Sequence, residues 1–121
     1  INLGPKLLIV NFSVNDSDQT NSNIFENNIR KIIEINQKNG IRTILMTEPV
    51  SKEFLVHNDF HDILRKLSLE TGVQLIESSK YMSESDYKGF LWWDYVHLTD
   101  FGHEVLSEYL FKEIFEQNKL P

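Results

Sequence analysis

Three short apolar runs set the limits on what this chain can fold into. They are Leu7-Leu8-Ile9-Val10-Asn11-Phe12, Ile41-Arg42-Thr43-Ile44-Leu45-Met46 and Val73-Gln74-Leu75-Ile76. Leu7 to Ile41 is 34 positions and Ile41 to Val73 is 32, the length of a strand, a crossover helix and the return to a parallel strand. The first run is continuous rather than alternating, the pattern of a strand buried on both faces of a parallel sheet.

The segments between the runs carry helical spacing. Ile24, Phe25, Ile29, Ile32, Ile33 and Asn36 follow an i, i+4, i+8 rhythm that predicts a helix starting near Ser22 as N-cap and stopping at Gly40. A second helix is predicted from Asn58 to Thr71, with Phe60, Ile63, Leu64 and Leu67 on one face and Gly72 past its end. A third follows Thr99, with Phe101, Val105, Leu106, Tyr109 and Ile114 inward. Strand, helix, strand, helix, strand, long loop, helix is the order of an α/β domain with right-handed crossovers. No repeat, low-complexity tract or linker marks a second domain, and 121 residues suit one domain at most.

Composition narrows the chemistry. The formal charge is −6, from 18 acidic against 12 basic residues, which argues against a nucleic-acid partner because such a surface repels phosphates. No stretch reaches the roughly 18 apolar residues of a membrane span. The absence of cysteine removes disulfide scaffolds, thiolate metal sites and cysteine nucleophiles, and leaves the compartment open.

Open α/β sheets carry their chemistry beyond the carboxyl ends of their strands. After the first run stands Ser13-Val14-Asn15-Asp16-Ser17-Asp18. An asparagine amide there can donate to a developing oxyanion, and Asp16 can hold the loop by accepting backbone N–H groups; Asn and Asp are also good turn formers. Before the last helix stands Asp94-Tyr95-Val96-His97-Leu98-Thr99-Asp100-Phe101-Gly102-His103. Three residues separate Asp94 from His97, a gap that lets a carboxylate hold one ring nitrogen while the other works as a general base. Trp92 and Trp93, just upstream, suit a partly desolvated cleft wall or a piece of core.

These two segments, in this order, resemble the SGNH (GDSL-type) hydrolase family. The family's Gly-x-Asn-Asp block is matched by Ser13-Val14-Asn15-Asp16 at its last two positions, and its Asp-x-x-His block by Asp94-Tyr95-Val96-His97. Leu98-Thr99-Asp100-Phe101-Gly102-His103 resembles the family's usual continuation. The resemblance covers essentially the whole chain. It implies a flavodoxin-like, three-layer α/β/α domain with a parallel sheet, of which strands 3 to 5 and their helices are present here. It implies ester hydrolysis, of acyl esters or O-acetyl carbohydrates, by Ser-His-Asp acyl transfer without a cofactor. His97 would be the base, Asp94 its orienting acid and Asn15 an oxyanion donor. Trp92, Trp93 and Asp16 would contact substrate, and Gly102 and His103 would pack the helix.

The sequence departs from the family in two places. Ser13 replaces a glycine, and nothing matches the Gly-Asp-Ser block that carries the nucleophile or the block whose glycine completes the oxyanion hole. Ser13, Ser17, Ser51, Ser78 and Ser79 stand at strand ends, yet none lies in a Gly-flanked strand-to-helix turn. The chain also begins with Ile1, its only methionines being Met46 and Met82. The expectation is that residues 1–121 form the C-terminal part of one such domain, with the serine on an N-terminal segment or another chain. The first run would then be an exposed hydrophobic edge, and the piece alone would be inactive and prone to pairing. The alternative is a non-catalytic interaction or carbohydrate-binding module without the serine, stacking ligands on Trp92, Trp93 and Tyr95.

Other patterns carry less. His57 and His61 have the i, i+4 spacing of a shared metal but no supporting glutamate, and read as surface histidines. Asp16, Asp18, Glu84 and Asp86 form no calcium loop. The sequons at Asn11 and Asn15 fall at an expected buried strand end and in the expected cleft, and read as chance matches.

Overall fold

The computed structural model describes residues 4–17, 20–51, 59–85 and 90–116. Its elements are β1 (Leu7–Val10), α1 (Val14–Ser17), α2 (Ser22–Lys38), β2 (Arg42–Met46), α3 (Asp59–Thr71), β3 (Gln74–Ile76), α4 (Ser78–Glu84) and α5 (Asp100–Phe111), the last running into a π-helical turn, Lys112–Glu116. The three apolar runs form a parallel sheet in the order β1-β2-β3, as their spacing predicts. Leu7 to Val10 pair in register with Arg42 to Leu45.

The chain divides into two compact units. The first holds β1, α1, α2, β2, α3 and Gln74 and Leu75 of β3. Its core joins Val10 and Leu45 of the strands to Phe25, Ile29 and Ile33 of α2 and to Phe60, Leu64 and Leu67 of α3. The helical spacing therefore put the right residues inward, with the exception of Ile24, which is exposed. Asn36 is buried in this unit because its amide donates to Thr43 Oγ1 at 2.9 Å, satisfying two polar groups at once.

Three local details differ from expectation. Asn21, not Ser22, caps α2, its side chain accepting the Ile24 N–H at 3.0 Å. At the other end Gly40 does close the helix, at φ +65°: its own N–H reaches Gln37 O and the Ile41 N–H reaches Asn36 O. That pair of bonds needs a left-handed residue, which glycine adopts without a Cβ clash. β1 is buried only at Val10, whereas Leu8 and Ile9 are more than a third exposed. Position decides this, because β1 is an edge of the described sheet while β2, between two strands, is buried from Thr43 to Met46. Asn11, at the strand's end, is exposed rather than buried.

The second unit holds Pro49, Val50 and Ser51 with Ile76, α4, α5 and the π-helical turn. Its core consists of Met82, Leu91, Leu98, Val105 and Leu106, with Tyr81, Trp92 and Leu110 packed on it. Tyr81 and Tyr109 stack at 3.8 Å between centroids, and burial of Tyr109, with Glu113 and Glu77 adding repulsion, raises its phenol to about 12. Helix α4 occupies what reads in the sequence as loop. It is one short element without a side-chain cap at Glu77, so it leaves no start signal. Phe101, expected inward on α5, is exposed, as is His103.

Candidate active site

The segment before α5 is a narrow hairpin closed by backbone bonds. Trp92 bridges Leu98 in antiparallel fashion, and the Trp93 N–H donates to His97 O at 2.8 Å. Thr99 then anchors the hairpin to the helix. Its N–H donates to Leu91 O, its hydroxyl to Phe90 O, and its Oγ1 accepts the Gly102 N–H at 3.0 Å as N-cap. Gly102 is required for contact: a Cβ there would lie 2.2 Å from Leu91 O. The packing role read for Gly102 has this cause, whereas exposed His103 has no such role.

Asp94 organises the tip. One oxygen, Oδ1, accepts the N–H groups of Val96 and His97, each at 2.8 Å, and Oδ2 lies 2.7 Å from His97 Nδ1. The side-chain bond from His97 and the two backbone bonds hold the Asp94 carboxyl down at about 2. An ionised carboxylate can only accept, so Nδ1 carries the hydrogen and Nε2 is left as the basic nitrogen. The imidazole is 76% exposed, open to a reacting group.

A cleft of about 720 Å³ in the same unit is lined by Asp94 together with Ser51, Phe90, Trp92, Trp93 and Tyr95, among others. Trp93 is exposed and meets Phe90 edge to face at 5.9 Å, whereas Trp92 is half-buried against the core. The tryptophan pair thus divides into one cleft residue and one that also serves as core. Among the described residues, Ser51 Oγ and Trp92 Nε1 are buried without a hydrogen-bond partner.

Of the sequence candidates, Asp94, His97, Trp92 and Trp93 come together in this hairpin and its cleft. Asn15 and Asp16 stand on α1 in the first unit, Asn15 exposed and Asp16 half-buried. Glu48, which the sequence did not single out, holds the start of this turn: its Oε2 accepts the Val14 N–H. The same oxygen accepts the Ser13 hydroxyl at 2.8 Å, and Ser13 Oγ lies 3.1 Å from His61 Nε2. His61 is thus a buried core histidine rather than a surface one, and His57 lies outside the described residues. So do Asp18 and Asp86. Glu48 was not legible as part of any site, since its signal is a distance across the fold.

The strand-end serines can now be placed. Ser13 is 1% exposed and donates to a carboxylate, which occupies the proton a base would need to remove. Ser78 and Ser79 are fully buried at the start of α4.

Solved structures share this architecture. A GDSL-like lipase from Bacteroides thetaiotaomicron matches with a TM-score of 0.72 at 21% identity, over 96% of this chain and 64% of its own. A candidate acylhydrolase from Bacteroides fragilis matches with a TM-score of 0.74 at 20% identity, again over 96% and 64%. The chain therefore spans less than two thirds of either. No protein-family model matches the sequence, and no curated protein does. These likenesses show the fold, which is the α/β fold of the SGNH/GDSL-type hydrolases.

Proposed function

We propose that this chain supplies the base, its orienting acid and one oxyanion donor to an ester hydrolase working by Ser-His-Asp acyl transfer. The observation that carries this reading is the Asp94–His97 pair, with Nδ1 fixed at 2.7 Å and the ring open at Nε2. His97 Nε2 takes the proton of a serine hydroxyl as that oxygen attacks the ester carbonyl, then returns it to the departing alkoxide. Water repeats the sequence to release the acid. Asp94 stabilises the transient imidazolium, and the Asn15 amide donates to the oxyanion, a bond worth about 2.7–4 kcal/mol in the transition state. Trp92, Trp93 and Asp16 contact the substrate, an acyl ester or O-acetyl carbohydrate. None of these steps needs a cofactor.

The nucleophilic serine lies on a segment outside residues 1–121, which make up the C-terminal part of a single domain. An N-terminal segment, or another chain, pairs with the exposed edge at β1. The longer GDSL-like neighbours and the exposed Leu8, Ile9 and Phe12 support this. The test is hydrolysis of short-chain esters by the full-length protein and by its His97→Ala variant. Loss of turnover with the circular dichroism and melting curve retained is expected; an unchanged rate would overturn the reading.

A further inference from the structure

The first unit holds a polar cluster that this reaction does not use. Ser13 stands between β1 and α1, Glu48 follows β2 and His61 comes from α3, and Ser13 and His61 are each 1% exposed. Two bonds join them to one another, and a third joins Glu48 to the backbone at the start of α1. Glu48 Oε2 receives both the Ser13 hydroxyl and the Val14 N–H, so that oxygen acts purely as an acceptor. The Ser13 hydroxyl hydrogen is then committed to Glu48, and its oxygen is left to accept from His61 Nε2 at 3.1 Å.

What these bonds hold is the entrance to α1. A helix of four residues cannot repay the cost of its own nucleation, so its shape depends on partners outside it. Its first residue, Val14, is tied through its N–H, and the residue before it, Ser13, is tied through its side chain. Asn15 comes next and is exposed. A glycine in place of Ser13 would remove the hydroxyl and free the backbone together. We propose that Glu48, with Ser13 and His61 behind it, is a positioning residue that fixes the turn bearing Asn15. The inference rests on the reading of Asn15 as oxyanion donor, and extends it to a brace drawn from β2 and α3.

The test uses the full-length protein with Glu48→Leu and Glu48→Gln. Amide hydrogen exchange is read at Val14 and Asn15, with Leu45 and Leu64 as internal references. Glu48→Leu is expected to speed exchange at Val14 at least about tenfold while the references stay within about twofold, and Glu48→Gln, which keeps an acceptor oxygen, to restore most of the protection. In ester hydrolysis Glu48→Leu is expected to lower kcat about tenfold or more with KM little changed. In an Asn15→Ala background it is expected to lower kcat no further, because a brace acting through Asn15 has nothing left to position. Should Glu48→Leu not fold, Ser13→Ala carries the same comparisons. Unchanged exchange at Val14 overturns the brace, and an equal loss of kcat with and without Asn15 overturns its positioning role. His97→Ala tests the hydrolase reading separately, since the exchange measurement does not depend on turnover.

Discussion

Asp94 and His97 are bound to each other twice, through the side chains at 2.7 Å and through the His97 N–H to the other carboxylate oxygen at 2.8 Å. The second bond fixes where the imidazole starts and the first fixes which way it turns. A carboxylate held by three donors resists protonation, and this has a measurable pH signature. Folding lowers the Asp94 pKa from 3.8 to about 2, so the pair's contribution to the folded state is full above the unfolded value and is lost as pH falls through about 2. A carboxyl-carbon NMR titration of Asp94 is expected to show a midpoint near 2; a midpoint near 4 would contradict the bonding pattern.

Asp94→Asn separates shape from chemistry. The side-chain oxygen can still accept the backbone N–H groups, but an amide nitrogen presented to Nδ1 favours the wrong tautomer. On the proposed hydrolase reading, kcat of the full-length protein is expected to fall by about three to four orders of magnitude with little change in KM. Loss of less than tenfold in steady-state kinetics would remove Asp94 from the orienting role.

Gly102→Ala places a methyl group 2.2 Å from Leu91 O, and a backbone oxygen cannot rotate away as a side chain does. The hairpin carrying Asp94 and His97 has to shift from α5, at a cost of about 1–3 kcal/mol or more. Thermal denaturation is expected to show a lower Tm. A melting temperature equal to the parent's would contradict the close contact.

Leu64→Ala tests the first unit's core. Leu64, on α3, is fully buried in the core it shares with α2 and the strands, and its truncation is expected to cost about 2–5 kcal/mol in urea denaturation. An effect below about 1 kcal/mol would mean that the site can collapse around the loss.

The β1 edge makes a prediction for residues 1–121 alone. With Leu8, Ile9 and Phe12 exposed on and beside an edge strand, the isolated chain is expected to self-associate in sedimentation velocity as concentration rises. Ile9→Lys is expected to reduce the association by placing a charge on that edge. A chain that stays monomeric and unfolds cooperatively would argue against a pairing surface there.

Much of this protein is legible in its sequence wherever the deciding contacts are local. Gly40 closes α2 through bonds to residues three and five positions back, and Thr99 caps α5 through the residue three ahead. The Asp94–His97 pair belongs to the same class, since its partners sit three apart in one turn. Helix α4 escaped because a seven-residue segment without a cap has too few turns for a periodic signal.

Periodicity and neighbours a few residues away were enough to read the α/β order, the inward faces of α2 and α3 and the turn that pairs Asp94 with His97. That Leu8 and Ile9 lie open on an edge, and that Ser13 meets Glu48 and His61 across 35 and 48 residues of chain, becomes visible in three dimensions alone. Those facts depend on which strand lies beside which, and on where α3 returns against α2 and β2. A separation of that size leaves no pattern in a single sequence, because the chain between can take many lengths and compositions and still bring the same two groups within hydrogen-bonding distance.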